Sequence, residues 1–208
     1  FDQVNQATLL SATVTRHTIE TLLGLSPNDV TYHQVAMRFP LERRLVYCVN
    51  GGRIDYRSMQ QDENVRWWLG IIDRIIEPRL DRKGIIHSVS YDRQQQILFG
   101  SKFSRHMIAP RHVKELPSAI ARFRAAGPGT ILVSPSVVEG YDFAGDQAEY
   151  QILSKLPFPY TRSAIMKARL KRIPFYGEVT TAQKIVQAAG RIVRHEQDQG
   201  ETFIVDEH

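Results

Sequence analysis

The chain has 208 residues, 42% of them hydrophobic and 24% charged, and a formal net charge of +5. That composition is globular, with length enough for one substantial core and a small appendage. Its single cysteine, Cys48, excludes an internal disulfide framework and any all-cysteine metal site within these residues.

No apolar run approaches 18 residues and no signal peptide opens the sequence, so no membrane partner is expected. The composition fits a reducing compartment, cytoplasmic or, in a eukaryote, nuclear. A first residue of Phe, and an end directly after an apolar run, read as a piece of a longer protein. An isoelectric point near 9.4 permits a polyanionic partner without proving one.

In chain order, the first apolar run is "ATLLSA" at 7 to 12, a strand-like segment running into "LLSATVT". Ser11 and Thr13 there can cap the helix-like "RHTIETLLG". "RLVYCV" at 44 to 49 is the next strand candidate. "ENVRWWLGIIDRIIEPRL" places Val65, Trp68, Leu69, Ile72 and Ile75 on one side of a helix that stops near Pro78. "GIIHSV" at 84 to 89 follows, then Ser90, Tyr91 and Asp92. Hydroxyls and a ring at a strand end suit phosphate contact and base stacking, and equally suit a helix cap on Ser90 or Asp92. Residues 90 to 115 show no clear period, and within them "KFSRHMIAPRHVK" carries four positive charges. "LPSAIARFRAAG" has proline in the first turn and glycine at the end, a common pair of helix limits.

"TILVSP" at 130 to 135 and "YQILSK" at 150 to 155 are further strands, separated by "SVVEGYDFAG". Gly140 and Gly145 allow a tight loop in which Glu139 and Asp142 point back toward a ligand or a partner arginine, or form an acidic surface turn. Residues 160 to 175 carry five positive charges and no acid. The last helix is expected over 179 to 194, capped by Thr180 or Thr181, and "TFIVD" at 202 to 206 closes the set. At about 100° per residue, Gln183, Gln187, Arg191 and Arg194 share an arc of roughly 80° opposite Ile185, Val186, Ala189, Ile192 and Val193. Gly190 flanks that arc; a mid-helix glycine costs about 1 kcal/mol, which suggests a close approach there.

Strands alternating with helices imply an α/β domain with a mainly parallel central sheet, its apolar strands covered on both faces. Ligands of such sheets gather at the carboxyl ends of strands. No G-x-x-x-x-G-K-[ST] occurs, so the chain has no P-loop of its own, and the acidic pair in "FIVDEH" is then a decoy. Seven scattered histidines without H-E-x-x-H or Cys/His spacing argue against a metal site. The lack of G-x-S-x-G leaves hydrolase nucleophile chemistry without support.

Taken together, these stretches resemble the second half of a superfamily-two helicase motor, in the XPD/DinG-like branch of DNA helicases. "SAT" at 11 to 13 looks like motif III, "FPLERRLVYCV" like the opening of the second domain, "KGIIHSVSY" like motif IV and "ILVSPSVVEGYDFAG" like motif V. "KLPFP" is similar to the family's following run, and "QAAGRIVR" at 187 to 194 matches the Q-x-x-G-R-x-x-R of motif VI.

The resemblance implies a RecA-like domain over 15–208, with 1–14 ending a first RecA-like domain. It implies ATP and Mg²⁺ bound between the two domains, the P-loop and the magnesium carboxylates coming from the first. Arg191 and Arg194 would then face the γ-phosphate beside Gln187, and Gly190 would let the helix approach the cleft. Glu139, Gly140 and Asp142 would serve the nucleotide or hold the motif VI arginines. Ser134 and the turn of Ser88, Ser90 and Tyr91 would contact single-stranded DNA. Ser11, Ala12 and Thr13 would couple nucleotide state to strand grip.

Many members carry an iron–sulfur cluster on four cysteines of the first domain. The branch commonly ends its last strand with Asp-x-Arg, where this chain has "DEH". Two other readings stay open: a translocase or RNA helicase driven by ATP, and a non-catalytic RecA-like module that binds nucleic acid or protein.

Overall fold

A computed structural model describes residues 6–11, 13, 15–35, 40–135 and 140–207, with nothing said of the His17 side chain. Its centre is a six-stranded, wholly parallel sheet. In chain order the strands are β1 (Arg44–Val49), β2 (Gly84–His87), β3 (Met107–Ile108), β4 (Ile131–Ser134), β5 (Tyr150–Leu153) and β6 (Gly200–Val205). They lie side by side as β1-β6-β5-β2-β4-β3. The helices are α1 (Arg16–Leu23), α2 (Asp62–Ile76), α3 (Tyr91–Gly100), α4 (Leu116–Ala125), α5 (Ala164–Arg172) and α6 (Tyr176–Ala189). This is the α/β arrangement with a parallel sheet that the alternation of elements implies, and the RecA-like domain that the resemblance implies.

The strand pleat sorts the core into two layers. Ile86, Val133, Ile152 and Phe203 face α2 and α3, where Trp68, Ile72, Ile76 and Ile97 are sealed from water. Ile85 and Leu132 face α4 through Ala119, Ile120 and Phe123, and Leu153 and Ile204 face Ala188 of α6. Each such fully buried large side chain contributes about 1.5–3 kcal/mol of transfer free energy. β2, β4 and β5 are buried along their whole length, which is why their sequences run apolar without alternating, apart from His87, Ser134 and Gln151. β1 departs from that expectation. It is an edge strand, and Leu45, Val46 and Tyr47 are each 40% exposed or more.

Several sequence expectations are corrected. The run 7 to 12 forms no strand over its described residues, and Leu10 is 93% exposed, since it has no neighbouring strand here to pair with. Thr15, not Ser11 or Thr13, caps α1: it is the residue directly before the first helical turn, and its Oγ1 accepts from the Thr18 amide. The stretch 90 to 115 holds α3 and the short β3, and 164–172 forms α5, a helix with no buried residue. α6 begins at Tyr176, before Thr180 and Thr181; both hydroxyls bond back to carbonyls of the helix's first turn instead of capping it. It ends at Ala189, five residues before the expected limit.

Candidate nucleotide-facing site

The end of α6 sets the position of both arginines. The Gly190 amide bonds to the Val186 carbonyl, and the Arg191 amide tightens to Ala188 over 2.9 Å. The chain then leaves the helix, which turns Ile192 and Val193 into the core at 0% and 4% exposure. Arg191 and Arg194 therefore lie on a turn after the helix, not on its polar arc. The apolar stripe is corrected with it: α6 buries Thr181 and Ala188, while Val186 is 51% exposed. A side chain at Gly190 would meet its own helix carbonyls at 3.5 and 3.6 Å, an ordinary contact, so nothing among the described residues demands glycine there.

The turn meets the glycine loop. Both Gly140 and Gly145 adopt positive φ, 84° and 63°, as a tight loop requires. Between them Asp142 Oδ1 accepts from Arg191 Nη1 at 3.1 Å and from Arg194 Nη2. Arg191 Nη1 also donates to the Tyr141 carbonyl, and its own carbonyl accepts from the Phe143 amide over 2.9 Å. Burial would raise the Asp142 carboxyl, but the hydrogen bonds and charges of Arg194 and Arg191 hold it below the usual carboxylate range. Among the described residues one carboxylate thus meets two guanidiniums. Asp142 is 57% and Arg194 38% exposed, so the Arg194 guanidinium is within reach of an anion, while Arg191 is clamped at 16%. Glu139 lies outside the described residues.

Asp198 completes the cluster, and nothing in the sequence singles it out. Its Oδ2 accepts from the Arg194 and His195 amides, each at 2.7 Å, and Oδ1 from the Gly145 amide at 3.2 Å. It stitches the arginine turn to the far end of the glycine loop. Its carboxyl, which burial would raise, is brought low by those backbone donors and by the charge on His195.

One turn up α6, Gln187 Nε2 donates to Thr13 Oγ1 at 3.1 Å, and Gln183 Nε2 to the Thr13 carbonyl at 3.2 Å. Thr13 and Gln187 are thus brought together, and Ser11 stays exposed two residues away, its Oγ accepting from the Thr13 amide. Ala12 lies outside the described residues.

The serine turn stands apart, at the carboxyl rim of the sheet. Asp142, by contrast, lies beside α4, where Arg124 Nη2 near the end of that helix donates to its carbonyl at 3.0 Å. Ser90 is the N-cap of α3, its Oγ accepting from the Arg93 amide. Ser88 and Ser134 are each 0% exposed, with the Ser88 amide bonded to the Ser134 carbonyl. Burial withdraws both side chains from direct contact with a ligand in this arrangement. The Tyr91 hydroxyl is also turned inward. What the rim presents instead is Val89, 37% exposed and held at φ 66° by a 2.8 Å bond from the Ser90 amide to the Ser88 carbonyl. A β-branched residue rarely takes that conformation, which costs about 1–3 kcal/mol and clusters at functional turns.

Among the described residues no three His, Cys, Asp or Glu side chains stand where they could hold a metal ion. No described helix is long and apolar enough to cross a membrane. The Asp206 carboxylate of the acidic pair is buried and accepts from the Leu156 and Glu207 amides.

Residues 84–208 match the family model described as the helicase C-terminal domain. Over 119 residues the chain is 25% identical to the ATP-dependent DNA helicase DinG of Photobacterium profundum, a match that covers 53% of this chain and 16% of that relative. An XPD structure from S. tokodaii shares the fold with a TM-score of 0.62 at 16% identity, covering 88% of this chain and 38% of that one. A further XPD helicase structure reaches a TM-score of 0.66 at 16% identity, over 95% of this chain and 38% of the other. The chain therefore spans well under half the length of each of these relatives.

Proposed function

The chain belongs to the helicase C-terminal domain family, in its XPD/DinG-like branch, and from that premise we propose that it is the second motor domain of an ATP-dependent DNA helicase. In this reading residues 15–208 form that domain, and 1–14 close a first RecA-like domain, the chain's obligatory partner. The observation that carries the proposal is the convergence of Arg191 and Arg194 on Asp142 beside the glycine loop.

Such a pair suits a triphosphate. Guanidiniums match phosphate oxygens in geometry and keep their charge at any physiological pH. Asp142 and the Tyr141 carbonyl orient Arg191, and the more exposed Arg194 has the freedom to exchange its carboxylate for a phosphate oxygen. The chemistry ATP supplies when bound is a transferable γ-phosphoryl group, whose spreading negative charge these arginines would stabilise. Mg²⁺ and the phosphate-cradling loop are assigned to the first domain, as is any iron–sulfur cluster. Gln187, bonded to Thr13, would report nucleotide state to the first domain. Gly190, which nothing among the described residues requires, would leave room for that domain's surface. Gly140 shapes the loop that delivers Asp142, and Glu139 is assigned to the same nucleotide-facing edge.

Single-stranded DNA is assigned to the carboxyl rim. Ser90, Tyr91 and the strained Val89 would meet it, with Ser88 and Ser134 fixing the turn from beneath.

The test uses the intact protein. Arg194→Ala and Arg191→Ala are each expected to lower kcat for ATP by about 10³ or more, the range of arginines placed against a transferring phosphoryl group. Affinity for single-stranded DNA should stay within a few fold. Turnover near wild type in both variants would refute the assignment.

A further inference from the structure

We infer that Gln151 and His87 are positioning residues for the arginine turn, acting through the Ala188 carbonyl at the end of α6. The inference rests on the reading of Arg191 and Arg194 as phosphate-facing, and extends it to a seam in the centre of the sheet.

Three polar side chains lie on the α6 face of β2, β5 and β6, among the apolar strand residues Ile85, Leu153 and Ile204. His87 is 1%, Gln151 0% and Thr202 2% exposed. Gln151 Oε1 faces His87 Nε2 at 2.9 Å, while its Nε2 donates to the Ala188 carbonyl at 2.8 Å and to Thr202 Oγ1 at 2.9 Å. A carbonyl can only accept, so the Ala188 bond fixes which way the amide points. His87 must then donate through Nε2, and its Nδ1 is left buried with no partner among the described residues. Burial holds the ring neutral, its pKa pushed down to about 4, so this donor arrangement persists at physiological pH.

A leucine, a leucine and a valine would fill the same space without desolvating five polar atoms or orphaning one. What apolar side chains cannot do is hold a carbonyl. The last carbonyls of a helix lack intrahelical donors. That of Ala188 accepts from the Gln151 amide of the sheet and from the Arg191 backbone amide at 2.9 Å, besides the Gly190 amide next to it. The sheet centre and the arginine turn therefore meet at one oxygen. From there the ties continue outward, since the Arg191 carbonyl accepts from the Phe143 amide and its guanidinium donates to the Tyr141 carbonyl and to Asp142. Loosening Ala188 lets the turn shift relative to the glycine loop, although neither Gln151 nor His87 touches the phosphates.

The test is the double variant His87→Leu/Gln151→Leu in the intact protein, which removes donor and acceptor together and keeps the sheet face packed. Its kcat for ATP is expected to fall about 10- to 100-fold, the loss associated with a small misplacement of catalytic groups, with KM within threefold. His87→Gln, which retains a donor toward Gln151, is expected to restore kcat to within threefold of wild type. A seam that only stabilises the fold would lower Tm and leave kcat per folded molecule unchanged, and that result overturns the inference. If the double variant melts below assay temperature, Gln151→Met carries the same expectation with less change in volume. Arg191→Ala is run beside them: loss of turnover there, with normal kcat in the seam variants, defeats the seam alone. Normal turnover in Arg191→Ala and Arg194→Ala defeats both readings.

Discussion

Gln187 on α6 and Thr13, 174 residues earlier, are joined by a 3.1 Å hydrogen bond from the amide nitrogen to the hydroxyl. Gln183, one helical turn before, holds the Thr13 carbonyl as well. Two glutamines four apart thus present adjacent donors to one residue of the segment that precedes α1. If that segment carries nucleotide state, the bond is a coupling element. Thr13→Val in the intact protein removes the acceptor at nearly constant shape. ATP turnover at saturating single-stranded DNA should then fall about tenfold, the scale of one lost hydrogen bond. A value within twofold of wild type would disconnect Thr13 from coupling.

Asp142→Asn separates orientation from stability. The carboxylate is more than half exposed, so losing its charge should cost under about 1 kcal/mol and move Tm by only about 2–4 °C. Turnover should fall about 10- to 100-fold, because both guanidiniums lose the group that aims them. Calorimetry and kcat on the same preparation test this, and parallel losses would make Asp142 merely structural. The carboxyl lies below its usual range, so its contribution is fully present above about pH 4 and is lost as pH falls through the lower folded value. Assays near neutrality see it charged.

Much of this site is legible in the sequence because its parts follow local rules. Gly140 and Gly145 flank a carboxylate, and positive φ at both delivers Asp142 to the arginines. The end of α6 is hidden because Ile192 and Val193 continue the 3.6-residue spacing of Ile185 and Ala189. Only the backbone shows that the chain has left the helix at Gly190 and buries them from a turn. Asp198, Gln151 and His87 give no signal at all. A glutamine inside an apolar strand reads as one polar position, and its three partners come from β2, β6 and α6. The stretch 90 to 115 hides α3 because that helix buries just two residues, Gln94 and Ile97, one of them polar.

His87 predicts an acid-side loss of stability. Its folded pKa, about 4, lies below the ordinary histidine value of 6.5, so the unfolded chain binds more protons between the two. The stabilisation is full above pH 6.5 and drains away as pH falls toward 4, the loss reaching on the order of 3 kcal/mol at the bottom of that window. Denaturant titrations of wild type and His87→Gln at pH 7, 5.5 and 4.5 test it. The variant should lose less stability over that range, and identical pH profiles would mean that His87 does not titrate on unfolding.

α5 raises the question of what an exposed helix is for. No residue of it is buried, Ile165 is 68% exposed, and Arg162, Lys167, Arg169, Lys171 and Arg172 accompany no acid over 160 to 175. Among the described residues none of the five forms an ion pair, although Arg169 donates to the Tyr176 hydroxyl at 3.0 Å. Cations in the last turn complement the helix dipole, which accounts for Arg169, Lys171 and Arg172 but not for Lys167 or Arg162. A strand of phosphates would account for all of them, with Tyr160, 69% exposed just before the helix, open for a base to stack on. Lys167→Gln/Lys171→Gln spares the Arg169–Tyr176 contact and removes two charges. If both meet phosphates, the slope of log K against log salt for single-stranded DNA should shrink by about 0.7 per lost contact, or about 1.4 in all. Anisotropy titrations of a labelled oligonucleotide on the intact protein between about 50 and 200 mM salt resolve that difference, at concentrations where counterion release dominates. An unchanged slope would leave these lysines to solvent and to the helix dipole, and the strand would have to run over the Val89 rim without them.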